Sequence, residues 1–183
     1  MTTSTQPGAD EITIRLGPEP GDLGTVLAMH GDLYRREYDF DERFEAHVAH
    51  GLTQFAAALG EARDRSDGHE PGWLWVAERS GRTVGTVALT DEGGGTGQLR
   101  WFLVDPSARG SGLGRRLLRA LLDHAQARGF THIKLWTVHL LDAAAHLYVE
   151  AGFRRIERIS ARRFGHELEE VRYDLDLTDV PSM

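Results

Sequence analysis

The chain has 183 residues, a length typical of one compact domain. Its formal net charge of −7 argues against a general nucleic-acid binder, because neutralising phosphates requires a basic surface. It contains no cysteine, which excludes disulfides, thiolate nucleophiles and cysteine-ligated zinc.

The N-terminal segment 1–11 is rich in Thr, Ser, Gln, Pro and Gly, so we expect a disordered tail ahead of a single domain at 12–177. The tail has neither a basic start nor the apolar stretch of a targeting signal. No apolar run approaches the roughly 20 residues of a membrane span. These features predict a cytoplasmic protein with no membrane partner.

The first elements follow from the spacing of apolar residues. Strict alternation over 12–16 predicts a short strand. Apolar residues at helical spacing then predict a helix from Asp22, expected as its N-cap, to about Tyr38. A second helix is predicted after Asp41, fading near Arg65.

The period then changes to that of strands. Aromatic and β-branched residues predict a hairpin in WLWVAERS and TVGTVALT, with a turn at Gly81 and Arg82. Next come a strand, QLRWFLV, and a helix that ends at Gly129. The remaining predicted elements are a strand HIKLWTV, a short helix LDAAAHLYVEAG and two strands, RRIERISARRF and HELEEVRYDLDL. The order β-α-α-β-β-β-α-β-α-β-β predicts a mixed sheet covered by helices.

A glycine-rich loop carries the clearest chemical signal. RGSGLG at 109–114 follows a strand ending in Val-Asp-Pro and opens an Arg- and Leu-rich helix. Unpaired N–H groups and the helix dipole at such a start favour an anion, typically phosphate. A nucleotide P-loop would need Lys-Ser/Thr after the last glycine, where Arg115 and Arg116 stand. Arg115 also occupies the third glycine of the dinucleotide fingerprint. The remaining alternative is a turn that only starts a helix.

The loop resembles the Arg/Gln-x-x-Gly-x-Gly/Ala acyl-CoA motif of the GNAT N-acetyltransferase superfamily. LYVEAGF at 147–153 resembles the second motif of that family, Leu-Tyr-x-x-x-Gly-Phe, and the resemblance covers roughly 12–177. HGDLYRREYDFDERFEA and LWTVHLLDAAAHLY further resemble the acetyltransferase part of fusions with a MarR-type winged helix, although we expect no winged helix in this chain. The resemblance implies an α/β (α+β) GNAT fold, with a mixed, mostly antiparallel sheet of about six or seven strands flanked by about four helices.

The resemblance also implies acetyl-CoA as cosubstrate. The pantetheine arm would lie along the strand at 102–104, pairing with its backbone, and the pyrophosphate on the N–H groups of 109–114. The cofactor-binding residues implied are Phe102, Leu103, Val104, Arg109, Gly110, Ser111, Gly112, Leu113, Gly114 and Arg115. Arg109, Arg115 and Arg116 would add positive charge, with a solvated helix face as the alternative for the last two.

Tyr148 is the catalytic residue that the resemblance implies. A tyrosine at this position protonates the thiolate that leaves when an amine attacks the thioester directly. Its reference pKa near 10 keeps it protonated at neutral pH. Packing alone is the alternative, because apolar residues surround Tyr148 at helical spacings. The family often has asparagine seven residues earlier, where this chain has Leu141.

The general base and the acceptor site are less defined. Glu37, Asp91 and Glu92 are candidates for the base, but each also fits a surface carboxylate, so we expect a base that acts through water. Tyr34, Glu37 and Tyr38 offer aromatic surface and a negative charge for a cationic amine, unless the two tyrosines pack inward. His47 and His50 are spaced i, i+3 without a third ligand, so we expect no metal.

The sequence therefore predicts transfer of an acetyl group to a primary amine of a small molecule or peptide. A non-catalytic acyl-CoA sensor or interaction module is the alternative, and it would not need Tyr148. The Arg- and Glu-rich final strands are compatible with a homodimer. The acceptor itself is not determined by fold or cofactor loop.

Overall fold

A computed structural model describes residues 11–65 and 68–178 of the chain. All but the last residue of the predicted tail at 1–11 lies outside that part. The strands are β1 Thr13–Gly17, β2 Gly72–Arg79, β3 Arg82–Asp91, β4 Thr96–Val104, β5 His132–Val138, β6 Arg154–Arg163 and β7 His166–Asp176. The α-helices are α1 Asp22–Tyr38, α2 Glu42–Arg65, α3 Leu113–Ala127 and α4 Asp142–Glu150. None of the helices in the described residues has the length and apolar character to cross a membrane.

The seven strands form one sheet in the order β1-β2-β3-β4-β5-β7-β6. All neighbouring pairs are antiparallel except β4 with β5. One apolar core contains the buried face of α3, and the other contains α1 and α2. The predicted mixed, mostly antiparallel sheet with four helices is confirmed.

Burial explains the apolar runs at the centre of the sheet. Residues 72–77 of β2 and 84–90 of β3 are buried on both faces, because helices cover the sheet on either side. β4 instead alternates between buried and partly buried residues along its whole length. Of its less buried residues, Gln98, Arg100, Phe102 and Val104 border cavities on either side of this strand.

β4 and β5 separate soon after they meet. Their parallel pairing covers only 96–98 of β4 and 132–134 of β5. Beyond that point β4 pairs with β3 alone and β5 with β7, so the sheet opens as a wedge. Gly97 lies at the closed end, where a Cβ would stand only 2.9 Å from Cδ1 of Ile133. Glycine thus permits the close approach from which the wedge opens.

A β-bulge interrupts β4 within the wedge. The register with β3 shifts between the pairs Thr86–Leu103 and Ala88–Arg100, and Trp101 has a φ of 46°. A bulge adds one residue to a strand and so reverses which side chains face each side of the sheet. As a result, Arg100 and Trp101 both face α2, and Phe102 returns to the α3 side.

The predicted capping role of Asp22 is wrong. Gly21, with a φ of 101°, is the N-cap of α1, and Asp22 is the first helical residue. The Asp22 carboxylate accepts hydrogen bonds from the Arg15 guanidinium at 2.7 and 2.9 Å and from the Glu19 backbone N–H at 2.7 Å. Arg15 lowers the pKa of Asp22 through this pairing. The carboxylate therefore joins α1 to β1, a tertiary role that local spacing does not reveal.

The buried side chain of His30 makes the stability of the fold depend on pH. Its Nδ1 donates to the Val26 carbonyl at 2.8 Å, and burial lowers its pKa to about 4. The unfolded chain therefore binds a proton at this histidine more readily than the folded chain, and stability falls as the pH drops from about 6.5 to 4. We expect His30→Phe to remove about 3 kcal/mol of this loss, measured by urea unfolding across the pH range.

His50→Phe on the exposed face of α2 is the matched control and keeps the wild-type pH dependence. An unchanged pH dependence in His30→Phe contradicts the prediction.

Candidate active site

The glycine-rich loop forms the start of α3. Gly110 and Gly112 have φ values of 76° and 78°, in the left-handed region that favours glycine, and Gly112 is the N-cap. The Arg116 backbone N–H donates to the Gly112 carbonyl at 3.1 Å. The N–H groups of 113–115, which come before this bond, have no acceptor within the helix. These N–H groups and the helix dipole are features that favour an anion, and the anion site itself stays a prediction.

A cavity of about 590 Å³ lies between this loop, β4 and α4. Gly114 in α3 allows α3 and α4 to approach each other closely, because a Cβ at Gly114 would be 2.9 Å from Cδ1 of Leu147 in α4. Nine of the ten predicted cofactor-binding residues border the cavity, which are Phe102, Leu103, Val104, Arg109, Gly110, Gly112, Leu113, Gly114 and Arg115. The tenth, Ser111, donates through its hydroxyl to the Ala108 carbonyl at 2.7 Å and so fixes the loop.

The three arginines of the loop and helix differ in their surroundings. Arg109 donates to Glu37 at 2.9 Å and Arg115 to Glu150 at 2.7 Å, and both arginines border the cavity. Arg116 instead donates to the Ile12 carbonyl at 3.0 Å and does not border the cavity. The structure therefore brings two of the three predicted cations to the anion site.

A second cavity, of about 180 Å³, lies on the α1 and α2 side of β4. Phe, Tyr and Trp side chains form much of its lining, and Gln98, Arg100, Thr137 and Glu170 add polar groups. Tyr34, Phe102, Leu141 and Ala144 border both cavities, so the two meet there. Leu141 stands where the resemblance suggested asparagine, and its side chain offers no hydrogen bond. The two adjoining cavities, here together called the path, lie at the wedge between β4 and β5.

Tyr148 borders the smaller cavity from α4. It is 4% exposed, and its ring lies 6.0 Å from Phe102 and 5.8 Å from Tyr173. Burial raises the pKa of its hydroxyl above the ordinary value, with smaller contributions from Tyr34 and Tyr173. The hydroxyl makes no hydrogen bond to any other described residue. Tyr148 is thus both a core residue and a protonated hydroxyl beside the path.

The predicted carboxylate bases lie away from the cavities. Glu37 is bonded to Arg109, and Asp91 accepts from the Gly93 N–H at 2.8 Å. Glu92 pairs with Lys134 at 3.2 Å. None of the three borders either cavity. Their positions leave the water-mediated base as the hypothesis that fits the geometry.

The predicted acceptor residues separate in the structure. Tyr34 borders both cavities, and Tyr38 borders the larger one. The two rings lie 5.4 Å apart, and Tyr34 also stacks on Phe44 at 4.3 Å. Both tyrosines pack against other aromatic rings, as the packing alternative predicts. Both also border a cavity, so their rings are available to a ligand there.

The paired histidines on α2 bring no metal site together. His47 borders the smaller cavity, but no group of three metal-binding side chains occurs within 11–65 and 68–178. His146 borders the larger cavity and pairs with Glu150 at 3.1 Å. His139 accepts at Nδ1 from the Glu169 N–H at 3.1 Å.

Sequence reasoning missed most of the smaller cavity. Arg100 and Gln98 come from β4, and Glu170 comes from β7. The aromatic side chains that line it are Phe40, Phe44, Trp101, Trp136 and Phe164. Residues alternate between the two faces of β4, so Arg100 is expected on the face opposite to the buried Leu99. This alternation could have indicated its position from the sequence. The bulge and the neighbouring strands that complete the cavity leave no such signal.

Comparison with known proteins agrees with this arrangement. The model of the Acetyltransferase (GNAT) family matches residues 32–153, more than half of the chain. An acetyltransferase of the GNAT family from Staphylococcus aureus Mu50 has a TM-score of 0.70 at 18% identity, covering 91% of this chain and 99% of that one. The structure of yncA from Salmonella typhimurium with its cofactor acetyl-CoA has a TM-score of 0.68 at 19% identity, covering 93% and 96%.

Curated proteins give a similar result at higher identity over shorter segments. N-acetyltransferase 8 from Rattus norvegicus is 37% identical over 87 residues, 45% of this chain and 39% of that protein. A mycothiol acetyltransferase from Beutenbergia cavernae is 29% identical over 150 residues, 80% of this chain and 50% of that protein. The chain thus spans half or less of the length of these two relatives. On the extent of the family match, this chain belongs to the acetyltransferase (GNAT) family.

Proposed function

We propose that the protein transfers an acetyl group from acetyl-CoA to a primary amine of a small molecule or peptide. The observation that carries this proposal is the pair of adjoining cavities at the wedge, with the N–H groups at the start of α3 beside the larger one and Tyr148 beside the smaller one. Membership of the acetyltransferase (GNAT) family supports acetyl-CoA as the cosubstrate. The larger cavity would then hold the CoA moiety and the smaller one the acceptor.

The residues around the larger cavity suit a CoA thioester. The N–H groups at the start of α3 and the two bordering arginines, Arg109 and Arg115, offer donors to a pyrophosphate. The β4 backbone at 102–104 has no strand partner on its β5 side, so it can pair with an extended amide-bearing chain. Acetyl-CoA supplies the activated acyl group, which is held as a thioester.

Tyr148 is proposed as the general acid. The amine nitrogen forms a bond to the acyl carbon as the carbon–sulfur bond breaks, and the Tyr148 hydroxyl gives its proton to the departing sulfur. The proton lost by the amine passes to water, since none of the candidate bases Glu37, Asp91 and Glu92 borders either cavity. Because burial keeps its pKa high, the hydroxyl is protonated throughout the neutral pH range.

Three further proposals complete this reading. The likeness to the acetyltransferase part of MarR-type fusions stays a prediction, because the relatives found are of other kinds. A homodimer also stays a prediction, and the exposed edge strand β6, with Ile156 56% exposed, is where we expect contact.

A non-catalytic acyl-CoA sensor remains the alternative function and would leave Tyr148 without a chemical role.

The first experiment follows CoA thiol released from acetyl-CoA with and without primary amines, including polyamines, amino acids, aminoglycosides and short peptides. The chain has no cysteine, so the protein adds no thiol background. Amine-dependent release supports acyl transfer. Binding of acetyl-CoA by folded protein without release in any amine favours the sensor.

Tyr148→Phe tests the proposed acid. We expect kcat to fall about 100-fold while the KM for acetyl-CoA stays within about 2-fold, because only a proton donor is removed. The melting temperature stays close to wild type, because the hydroxyl makes no hydrogen bond within the described protein. Turnover equal to wild type rules out the assigned role.

Gly112→Ala tests the anion site. An alanine at a φ of 78° costs about 1–2 kcal/mol, so the first turn of α3 shifts and we expect the KM for acetyl-CoA to rise about 10-fold. Gly93→Ala is the matched control, with a φ of 81° and open space around it in the β3–β4 loop. It should lose similar stability and keep its KM. Equal changes of KM in both variants contradict the site.

A further inference from the structure

Arg100 presents an unpaired positive charge to the smaller cavity. Its guanidinium lies 4.7 Å above the Trp101 ring and makes no hydrogen bond or ion pair with any residue in the described part of the chain. Burial lowers its pKa from the ordinary value. A partly buried cation with open N–H donors is unfavourable unless an acceptor reaches it.

The nearby acids are already engaged. Glu170 borders the same cavity, and its carboxylate accepts from Arg163 at 3.1 Å. Glu92, which attracts Arg100 at longer range, pairs with Lys134 at 3.2 Å. Glu170 and Glu92 therefore pair with Arg163 and Lys134 rather than with Arg100. The Arg100 guanidinium is therefore free to pair with an anionic group of a ligand in the smaller cavity.

The helix facing Arg100 makes room for its guanidinium. Gly51 lies inside α2, where glycine costs about 1 kcal/mol relative to alanine. A Cβ at Gly51 would stand 2.3 Å from Nη2 of Arg100 and 3.3 Å from Cζ2 of Trp101. Glycine at this helix position thus keeps the guanidinium beside the cavity.

We propose that Arg100 binds a carboxylate of the acceptor, so that the acceptor is an amino acid with an aromatic side chain. This inference rests on the proposed acetyl transfer. The planar guanidinium matches a carboxylate with two parallel hydrogen bonds. Arg100 and Phe102 come from the same strand and both border the smaller cavity, and Phe102 also borders the larger one. The aromatic walls suit an aromatic side chain.

The size of the cavity supports a small acceptor. Pockets for drug-sized ligands enclose about 300–1,000 Å³. The smaller cavity encloses about 180 Å³, which accommodates a single amino acid more readily than a folded chain segment or an aminoglycoside. Phe102 and Leu141 border both cavities, so an amine held beside them would lie next to the larger cavity.

The first test measures binding without chemistry. Titration calorimetry on the whole protein compares 3-phenylpropionate with 3-phenylpropionamide, which differ only in the anionic group. We expect the carboxylate to bind about 10- to 100-fold more tightly, and Arg100→Met to abolish this preference. Arg119→Met, on the exposed face of α3, keeps it. Equal binding of acid and amide, or a preference that survives in Arg100→Met, overturns the proposal.

A second pair of variants leaves Arg100 itself in place. Gly51→Ala displaces the guanidinium and should reduce the carboxylate preference at least 5-fold, although alanine favours the helix. Gly60→Ala lies in the same helix with no heavy atom within 4 Å, so the preference stays. A preference unchanged in Gly51→Ala contradicts the positioning described here.

The last arm separates this inference from the proposed function. CoA release is compared for L-phenylalanine and phenethylamine, which lacks the carboxylate. We expect kcat/KM to favour phenylalanine at least 10-fold, and Arg100→Met to remove the difference by lowering kcat/KM for phenylalanine far more than for phenethylamine. Carboxylate-selective binding without release in any amine contradicts the transferase and leaves the Arg100 site standing. Release that ignores the carboxylate overturns the Arg100 site and leaves the transferase standing.

Discussion

The short parallel pairing between β4 and β5 is the constraint on which the site depends. Three residue pairs hold these strands together, and beyond them each strand pairs on its other side only. A continuous sheet would leave no gap at this point, and both cavities would be filled by side chains. Because the strands diverge, the β4 backbone gains a free edge and α4 can place Tyr148 beside the opening.

The bulge in β4 divides the chemistry between the two faces of the sheet. Before it, Leu99 faces the α3 core and Arg100 faces α2, and after it Phe102 faces α3. The extra residue gives the α2 face two consecutive large side chains, Arg100 and Trp101, whose stacking holds the guanidinium over an aromatic ring. The same strand thus contributes apolar surface and free backbone to one cavity and a cation to the other.

Sequence reasoning recovered the features that depend on local pattern. The order of all seven strands and four helices follows from periodicity, and the glycine-rich loop opens α3 as its pattern predicts. It missed features set by strands far apart in the chain. Asp22 bonds Arg15 across a turn rather than capping its helix, and Glu37 is taken up by Arg109, 72 residues away. A bulge has no residue pattern that predicts it, so the placement of Trp101 beside Arg100 on the α2 side could not be foreseen.

The position of the acceptor cavity explains why family membership says little about its ligand. The family match covers 32–153, which includes the glycine-rich loop and Tyr148. The acceptor cavity also takes His30 from before that range and Phe164 and Glu170 from the β6–β7 hairpin beyond it. Glu170 and its partner Arg163 come from this hairpin, and their pairing leaves Arg100 uncompensated. On the proposed function, the charge that would select an acceptor depends partly on residues outside the matched range, so changes in that hairpin would alter specificity without changing the glycine-rich loop.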